Sequence, residues 1–195
     1  PNYTRLKQEL KGYHSTFSFP RPDSRELPFG IGLAIFSRWP LDPETCLNLP
    51  SPPVEFEFMG EKKTPTDRLM ISATTTIDGQ KVRLMNTHLL AFFMLKSSSE
   101  EHPIQRDLIE EELTKSDLPT ILTGDFNVSK HGSLVDQFAK AGYSTAQTEA
   151  ITWRRMPYVL DHVFFNAPFK CVGHEVIQSM ASDHLPLVAD LELAD

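Results

Sequence analysis

The stretch Ile121-Leu-Thr-Gly-Asp-Phe-Asn-Val128 decides how the chain is read. A short apolar run, Thr120 to Leu122, meets Gly124, and Asp125 and Asn127 follow two residues apart. Alternation along a strand puts both polar groups on one face of the strand end and turns Phe126 to the other. A carboxylate and a carboxamide held that way can serve one phosphate. The first orients or deprotonates an attacking water, and the second donates a hydrogen bond to a phosphoryl oxygen. The same pattern also reads as a buried strand closing in an Asx turn, so its meaning depends on what the rest of the chain brings to it.

Three further polar stations interrupt apolar strands. Arg68–Ile77 and Lys81–Leu89 are strand-like runs joined at Asp78-Gly79, a strong hairpin signal because both central residues of a type I′ turn need positive φ. The second run closes on Asn86-Thr87-His88. Leu160-Asp161-His162-Val163 sets a carboxylate inside an apolar strand expected over Tyr158–Asn166, and Ser182-Asp183-His184-Leu185-Pro186 precedes a last strand, Leu187–Leu193. Burying so many ionisable groups is expensive unless they pair with each other, a metal or a substrate. Asp161 and His184 make a sensible orienting pair, the carboxylate fixing the tautomer of the imidazole. Asp183 is then left as a hard oxygen ligand for Mg²⁺ or Mn²⁺.

The remaining elements are ordinary. Thr4–Lys11 reads as a short helix stopped by Gly12, Phe17 and Phe19 alternate as on a strand, and Pro20–Ser24 is a loop. Gly30–Arg38 is a buried strand. Pro40–Pro53, with five prolines, is a long irregular connection, followed by a strand at Val54–Met59. Ala91–Glu101 is an irregular loop. A helix from Pro103 to about Ser116 carries Ile104, Leu108, Ile109 and Leu113 on its inner stripe. A second helix is capped by Ser133, runs to Lys140 and stops at Gly142, and Cys171–Gln178 is another strand. Strand pairs alternating with a few helices imply α/β layers on mostly antiparallel sheets, and no linker or composition break divides residues 1–195.

At 195 residues, 40% hydrophobic and 23% charged, the chain can enclose one sizeable core. It has no apolar run of the roughly 18 residues a membrane span needs. Cys46 and Cys171 lack metal-like spacing and mildly favour a reducing, cytoplasmic setting. A net charge of −7 argues against a broad basic surface for nucleic acid, though an acidic metal centre would add negative charge of its own.

Taken in order, Gly30-Ile-Gly-Leu-Ala-Ile-Phe-Ser-Arg38, Asn86-Thr-His-Leu89, Gly124-Asp-Phe-Asn127, Leu160-Asp-His-Val163 and Ser182-Asp-His184 resemble the endonuclease/exonuclease/phosphatase superfamily, from about Gly30 to the C-terminus. The resemblance implies a DNase-like four-layer α/β sandwich and a phosphoesterase dependent on Mg²⁺ or Mn²⁺. His88 matches the histidine that hydrogen-bonds the scissile phosphate, Asp125 the carboxylate that positions water, and Asn127 the amide holding a phosphate oxygen. Asp161 matches the acid orienting the catalytic histidine, here His184. Asp183 matches a metal ligand, with Asp125 and Asn127 beside it. The implied chemistry is in-line attack of water on a phosphodiester or phosphomonoester. The substrate class stays open among nucleic acid, nucleotide, lipid head group and sugar phosphate. Family members also open with a strand ending in asparagine and a later strand ending in glutamate, and nothing upstream of Gly30 matches either. The expectation is that the N-terminal strands of the fold are missing from this chain, with metal binding weakened. A binding domain that keeps the fold without a complete metal site is the alternative.

Some residues carry two readings. Trp153-Arg154-Arg155 can grip phosphate and stack on a planar group, or form a solvated loop. Phe92, Phe93 and Met94 can form a membrane- or substrate-facing lip or, the favoured reading, pack on the next helix. His162, on the opposite strand face from Asp161, reads as a packing residue, and His14, His102, His131 and His174 as surface residues.

Overall fold

Asp78 and Gly79 take φ values of 50° and 84°, the left-handed pair that a tight hairpin needs. The two strands they join run in register from Leu69 opposite His88 to Ile77 opposite Gln80. The structure is a computed structural model and describes residues 2–19, 32–43 and 45–193. The Pro20–Ser24 loop and the first two residues of the Gly30–Arg38 run lie outside the described residues.

In chain order the elements are α1 (Asn2–Glu9), β1 (His14–Ser18), β2 (Leu33–Ser37), β3 (Thr45–Leu49), β4 (Phe56–Phe58), β5 (Glu61–Lys63), β6 (Arg68–Ile77) and β7 (Gln80–His88). A 3-10 turn at Phe92–Leu95 leads to α2 (Ile104–Leu113), β8 (Thr120–Asp125), α3 (Gly132–Lys140), β9 (Tyr143–Thr145), β10 (Asp161–Asn166), β11 (Phe169–Val176) and β12 (Leu187–Leu193). The main sheet has the order β3-β6-β7-β8-β10-β9. Only its β7–β8 pair is parallel among these neighbours, and α2 makes that crossover.

Alternation along the strands sends one set of side chains to each face. Met70, Met85, Leu122 and Phe164 meet Ile109 and Leu113 of α2 and Leu134 and Phe138 of α3 in the largest core cluster. On the other face Leu69 and Ile71 pack on Leu33 and Ile35 of β2, and Val82 and Phe165 pack on Phe169, with Leu191 and Leu193 of β12 against them. The pairs β1–β2 and β11–β12 therefore form a second β layer. Tyr3 of α1 closes its outer side, stacked 4.6 Å from Phe17. The result is the expected helix, sheet, sheet, helix sandwich with mostly antiparallel strands. No described helix is long and apolar enough to cross a membrane.

Several expectations need correction. The Pro40–Pro53 connection contains β3, paired to β6 from Thr45 opposite Ser72 to Leu49 opposite Arg68. Its prolines flank the strand, and β3 is a sheet edge, where proline is tolerated. The Val54–Met59 run is shorter and turns back into β5 through Met59 and Gly60, both at positive φ. The Ala91–Glu101 loop holds the 3-10 turn. In α2, Ile104 is exposed while Gln105 and Arg106 are buried, so its inner face is partly polar. Ser133 does not cap α3, whose N-cap is His131 without a side-chain bond. Its hydroxyl instead bonds Glu100 and accepts from Arg106.

Candidate active site

Strand register builds the site. The parallel β7–β8 pair makes His88 the direct partner of Asp125, and the antiparallel β8–β10 pair makes Asp161 its partner on the other side. Three candidate site residues from three strands thus lie side by side at one end of the main sheet. His184 arrives from the loop before β12. That loop is tied down because Leu185 donates its N–H to the Thr152 carbonyl at 2.7 Å, and Trp153 bridges His184 in a short β-type contact.

Side-chain geometry follows from this frame. His184 Nδ1 lies 2.8 Å from Asp161 Oδ2. The Nε2 atoms of His184 and His88 lie 3.6 Å and 3.5 Å from Asp125 Oδ2. Asn127 donates from Nδ2 to the same oxygen at 3.0 Å and to the Leu89 carbonyl, while its backbone N–H goes to Asp125 Oδ1 at 3.0 Å. The Asx turn is therefore present, and it is what aims the carboxamide. Asn127 adopts a left-handed φ of 52°, an unusual conformation for a residue other than glycine.

The electrostatics separate the roles. Burial, reinforced by the charge of Asp161, pushes the Asp125 carboxyl up to about 7. The hydrogen bond that His184 donates to Asp161 raises its pKa above the ordinary imidazole value. Burial, with the charge of Arg68, takes His88 down to about 4, so it is a neutral hydrogen-bonding group at neutral pH. These groups open onto a cavity of about 430 Å³.

Asp125, Asp161 and His184 offer ligand atoms within 4.8 Å of one another. Two part-buried carboxylates and an imidazole are a donor set suited to a divalent cation. Asp183 stands outside this trio. Its Oδ2 accepts from Trp153 Nε1 at 3.3 Å and pairs with Arg155 at 3.0 Å, and the indole bond holds its carboxyl below the usual range. Arg154 bonds the Ser182 carbonyl and the Met180 sulfur. The two arginines thus brace the loop carrying Asp183 and His184.

Other residues contribute that strand patterning does not pick out. Buried Thr152 accepts the backbone N–H groups of Leu160 and Asp161 at 2.9 and 3.0 Å, fixing the start of β10. Gln105 accepts the Leu90 N–H at 3.0 Å and donates to the Leu49 carbonyl at 3.2 Å, clamping the segment just after His88. Phe92 is buried and stacks on His102, Phe93 packs against Trp153 and Tyr158, and Met94 is exposed. His162 is buried as expected. His14 and His174 are exposed, but His102 and His131 are half-buried, the latter 5.6 Å from the His162 ring.

The fold recurs in solved structures. A mannosyl-6-phosphatase of Bacteroides thetaiotaomicron matches with a TM-score of 0.73 and 19% identity, over 97% of this chain and 80% of its own. The human Nocturnin catalytic domain, solved with bound sulfate, matches at 0.72 and 23%, over 98% and 76%. D. rerio TDP2 complexed with a single-strand DNA product matches at 0.69 and 18%, over 98% and 82%. No curated protein matches by sequence. The endonuclease/exonuclease/phosphatase family profile matches residues 3–184, so the likeness extends upstream of Gly30 to take in α1 and β1. This chain belongs to the endonuclease/exonuclease/phosphatase family, a family of hydrolytic phosphoesterases.

Proposed function

We propose that the chain hydrolyses a phosphate ester by in-line attack of water, with Mg²⁺ or Mn²⁺ held by the carboxylates around Asp125. The observation that carries this reading is the convergence on Asp125 Oδ2 of His88 Nε2, His184 Nε2 and Asn127 Nδ2, with Asp161 behind His184. The gaps of 3.5 and 3.6 Å leave the imidazoles able to turn toward a phosphoryl oxygen or a water beside the carboxylate. Asp125 positions the attacking water, and Asn127, whose two Nδ2 hydrogens go to Asp125 Oδ2 and the Leu89 carbonyl, holds that carboxylate in place and reaches a phosphoryl oxygen only by releasing one of these bonds. His184 takes the proton at Nε2 while its Nδ1–H stays on Asp161, and neutral His88 donates to the phosphate. When bound, the cation supplies charge stabilisation at the phosphate and the leaving oxygen. Asp183 joins the cation's ligands if its carboxylate turns from Arg155. Arg154 and Arg155 hold the loop that carries Asp183 and His184, and their charge offsets negative charge on the arriving substrate.

The named activities of the structural neighbours span a sugar phosphatase and a protein bound to a DNA product, so fold likeness leaves the substrate open. A binding role without turnover draws on one observation, the engagement of Asp183 by Trp153 and Arg155 away from the acidic trio. The test is hydrolysis of bis-p-nitrophenyl phosphate and p-nitrophenyl phosphate with Mn²⁺ and then with chelator. Chelator-sensitive turnover supports the enzyme. Phosphate-ester binding with no turnover on either compound supports the binding role.

A further inference from the structure

Gln105 is the second residue of α2, and it is almost fully buried, at 1% exposure. Its amide has one workable orientation. Oε1 accepts the Leu90 N–H at 3.0 Å, and Nε2 faces three oxygens at 3.1–3.2 Å, the Leu49 and Pro50 carbonyls and Ser51 Oγ. Exchanging the two ends would set a donor against the Leu90 N–H and an acceptor against two carbonyls. The side chain therefore ties the exit of β7 to the end of β3, two strands that are not neighbours in the sheet.

β7 ends at His88. The Leu89 N–H still reaches the Asp125 carbonyl at 3.0 Å, but the next peptide unit, from the Leu89 C=O to the Leu90 N–H, has left the ladder. A trans peptide unit is planar and points its N–H and C=O to opposite sides. Gln105 takes the N–H of this unit, and its C=O accepts from Asn127 Nδ2 at 3.0 Å. The same Nδ2 also donates to Asp125 Oδ2 at 3.0 Å. One line of hydrogen bonds thus runs from α2 to the carboxylate at the centre of the site, through Gln105, Leu90, Leu89 and Asn127, all of them buried. Asn127 sits at a left-handed φ of 52°, a setting that its surroundings must enforce, and the Leu89 carbonyl is one of the two acceptors holding its side chain.

We propose that Gln105 is a positioning residue for the reaction, setting the plane of the Leu89–Leu90 peptide and through it the direction of the Asn127 amide against Asp125. The inference rests on the hydrolytic reading above and deepens it, because it makes the start of α2 part of the alignment of the site. Without the Gln105 acceptor the buried Leu90 N–H must find another partner. The peptide then turns, the Leu89 carbonyl turns with it, and Asn127 loses one of its two holds. A small misplacement of this kind weakens the transition state more than the substrate complex.

The experiment compares the wild type with Gln105→Met, Gln105→Glu and Ile109→Val. Methionine keeps the length and removes both polar ends. Glutamate keeps an acceptor for Leu90 in either protonation state and alters only the donor side. Ile109→Val loosens a core contact of the same helix without touching the peptide. With Mn²⁺ and bis-p-nitrophenyl phosphate, Gln105→Met should lower kcat by roughly 10- to 100-fold with KM little changed. Gln105→Glu should recover most of that loss, and Ile109→Val should keep the wild-type kcat. Water exchange of the Asn127 side-chain amide is followed in parallel by nitrogen-15 NMR in chelator. It should quicken by about tenfold in Gln105→Met and stay near the wild-type rate in Gln105→Glu. If no phosphate ester is turned over but the Asn127 exchange follows this pattern, the hydrolytic reading fails and the link from Gln105 to Asn127 stands. Unchanged Asn127 exchange in Gln105→Met overturns the proposal whatever the kinetics show, since any loss of rate would then come from the fold alone. So does an unchanged kcat in Gln105→Met where the wild type turns over, or an equal loss in Ile109→Val. Should Gln105→Met not fold, Gln105→Glu decides: wild-type exchange and kcat support the proposal, and a change of about tenfold in either overturns it.

Discussion

Asp125 and Asp161 face each other as direct Cα partners across β8 and β10. Two carboxylates brought together in a part-buried cleft cannot both be comfortably ionised. The fold resolves this by giving Asp161 to His184 at 2.8 Å, while burial and the neighbouring charge push the Asp125 carboxyl up to about 7 despite its bonds from Asn127. A cation and a phosphate-directed water are what that imbalance suits.

Asp161→Asn should keep the fold and lower kcat by roughly a thousandfold, the scale of losing a positioned general base. The hydrogen bond from His184 to Asp161 is the largest cause of the raised His184 pKa. Neutral His184 is the reactive form, so activity rises as pH climbs through that pKa. In the variant this acid limb should move to lower pH, alongside the smaller rate. A limb that stays in place in a pH–rate profile would show that His184 is not the group being titrated.

Asp125→Asn should abolish turnover yet stabilise the metal-free protein at high pH. The folded-state pKa of Asp125 is raised, so proton binding favours the folded state at low pH, and that stability is lost as pH rises through about 7. Removing the charge lifts the penalty above that pH, by a few kcal/mol at most at about 1.4 kcal/mol per pKa unit. Thermal melts in chelator should show a higher Tm for the variant at pH 8.5 and a clearly smaller difference at pH 5, because the penalty builds up between the unfolded and folded pKa values. Added Mn²⁺ should reverse the order by stabilising only the wild type.

Gly124→Ala should be among the most damaging single-methyl changes. Gly124 has φ 156°, and an added Cβ would sit 2.2 Å from the Thr87 carbonyl oxygen on β7. That backbone cannot yield without breaking the β7–β8 register that pairs His88 with Asp125. A loss of about 2–4 kcal/mol is expected in chemical denaturation, together with activity. Wild-type stability in this variant would mean that the strands can separate here at little cost.

The sequence shows the site better than it shows its supports. Asp125, Asn127, His88, Asp161 and His184 are visible because each puts a polar group where an apolar strand ends or begins, and strand register then brings them together. The Asp78-Gly79 turn marks the β6–β7 hairpin for a similarly local reason. β3 is obscured by prolines that an edge strand tolerates. Gln105 and Arg106 look like surface residues on a helix, and their burial depends on carbonyls and hydroxyls from segments 27 to 56 positions away. Thr152 works through two backbone N–H groups and leaves no periodic trace. The side-chain direction of Asp183 depends on Trp153 and Arg155, which lie about 30 residues earlier.

Thr152→Val tests whether such a support matters to chemistry as well as stability. The swap keeps the shape and removes the acceptor for the Leu160 and Asp161 N–H groups, one of them fully buried. Leaving buried donors unsatisfied should destabilise the fold by about 1–3 kcal/mol. Asp161 would then start β10 less firmly, and His184 with it, because Leu185 also hangs on the Thr152 carbonyl. The variant should show kcat reduced by roughly 10- to 100-fold with KM little changed, since a misplaced base weakens the transition state more than the substrate complex. Thr152→Ser, which restores the hydroxyl, should recover most of the rate. If Ser and Val behave alike, the hydroxyl is not what holds Asp161, and packing around the buried methyl must do so instead.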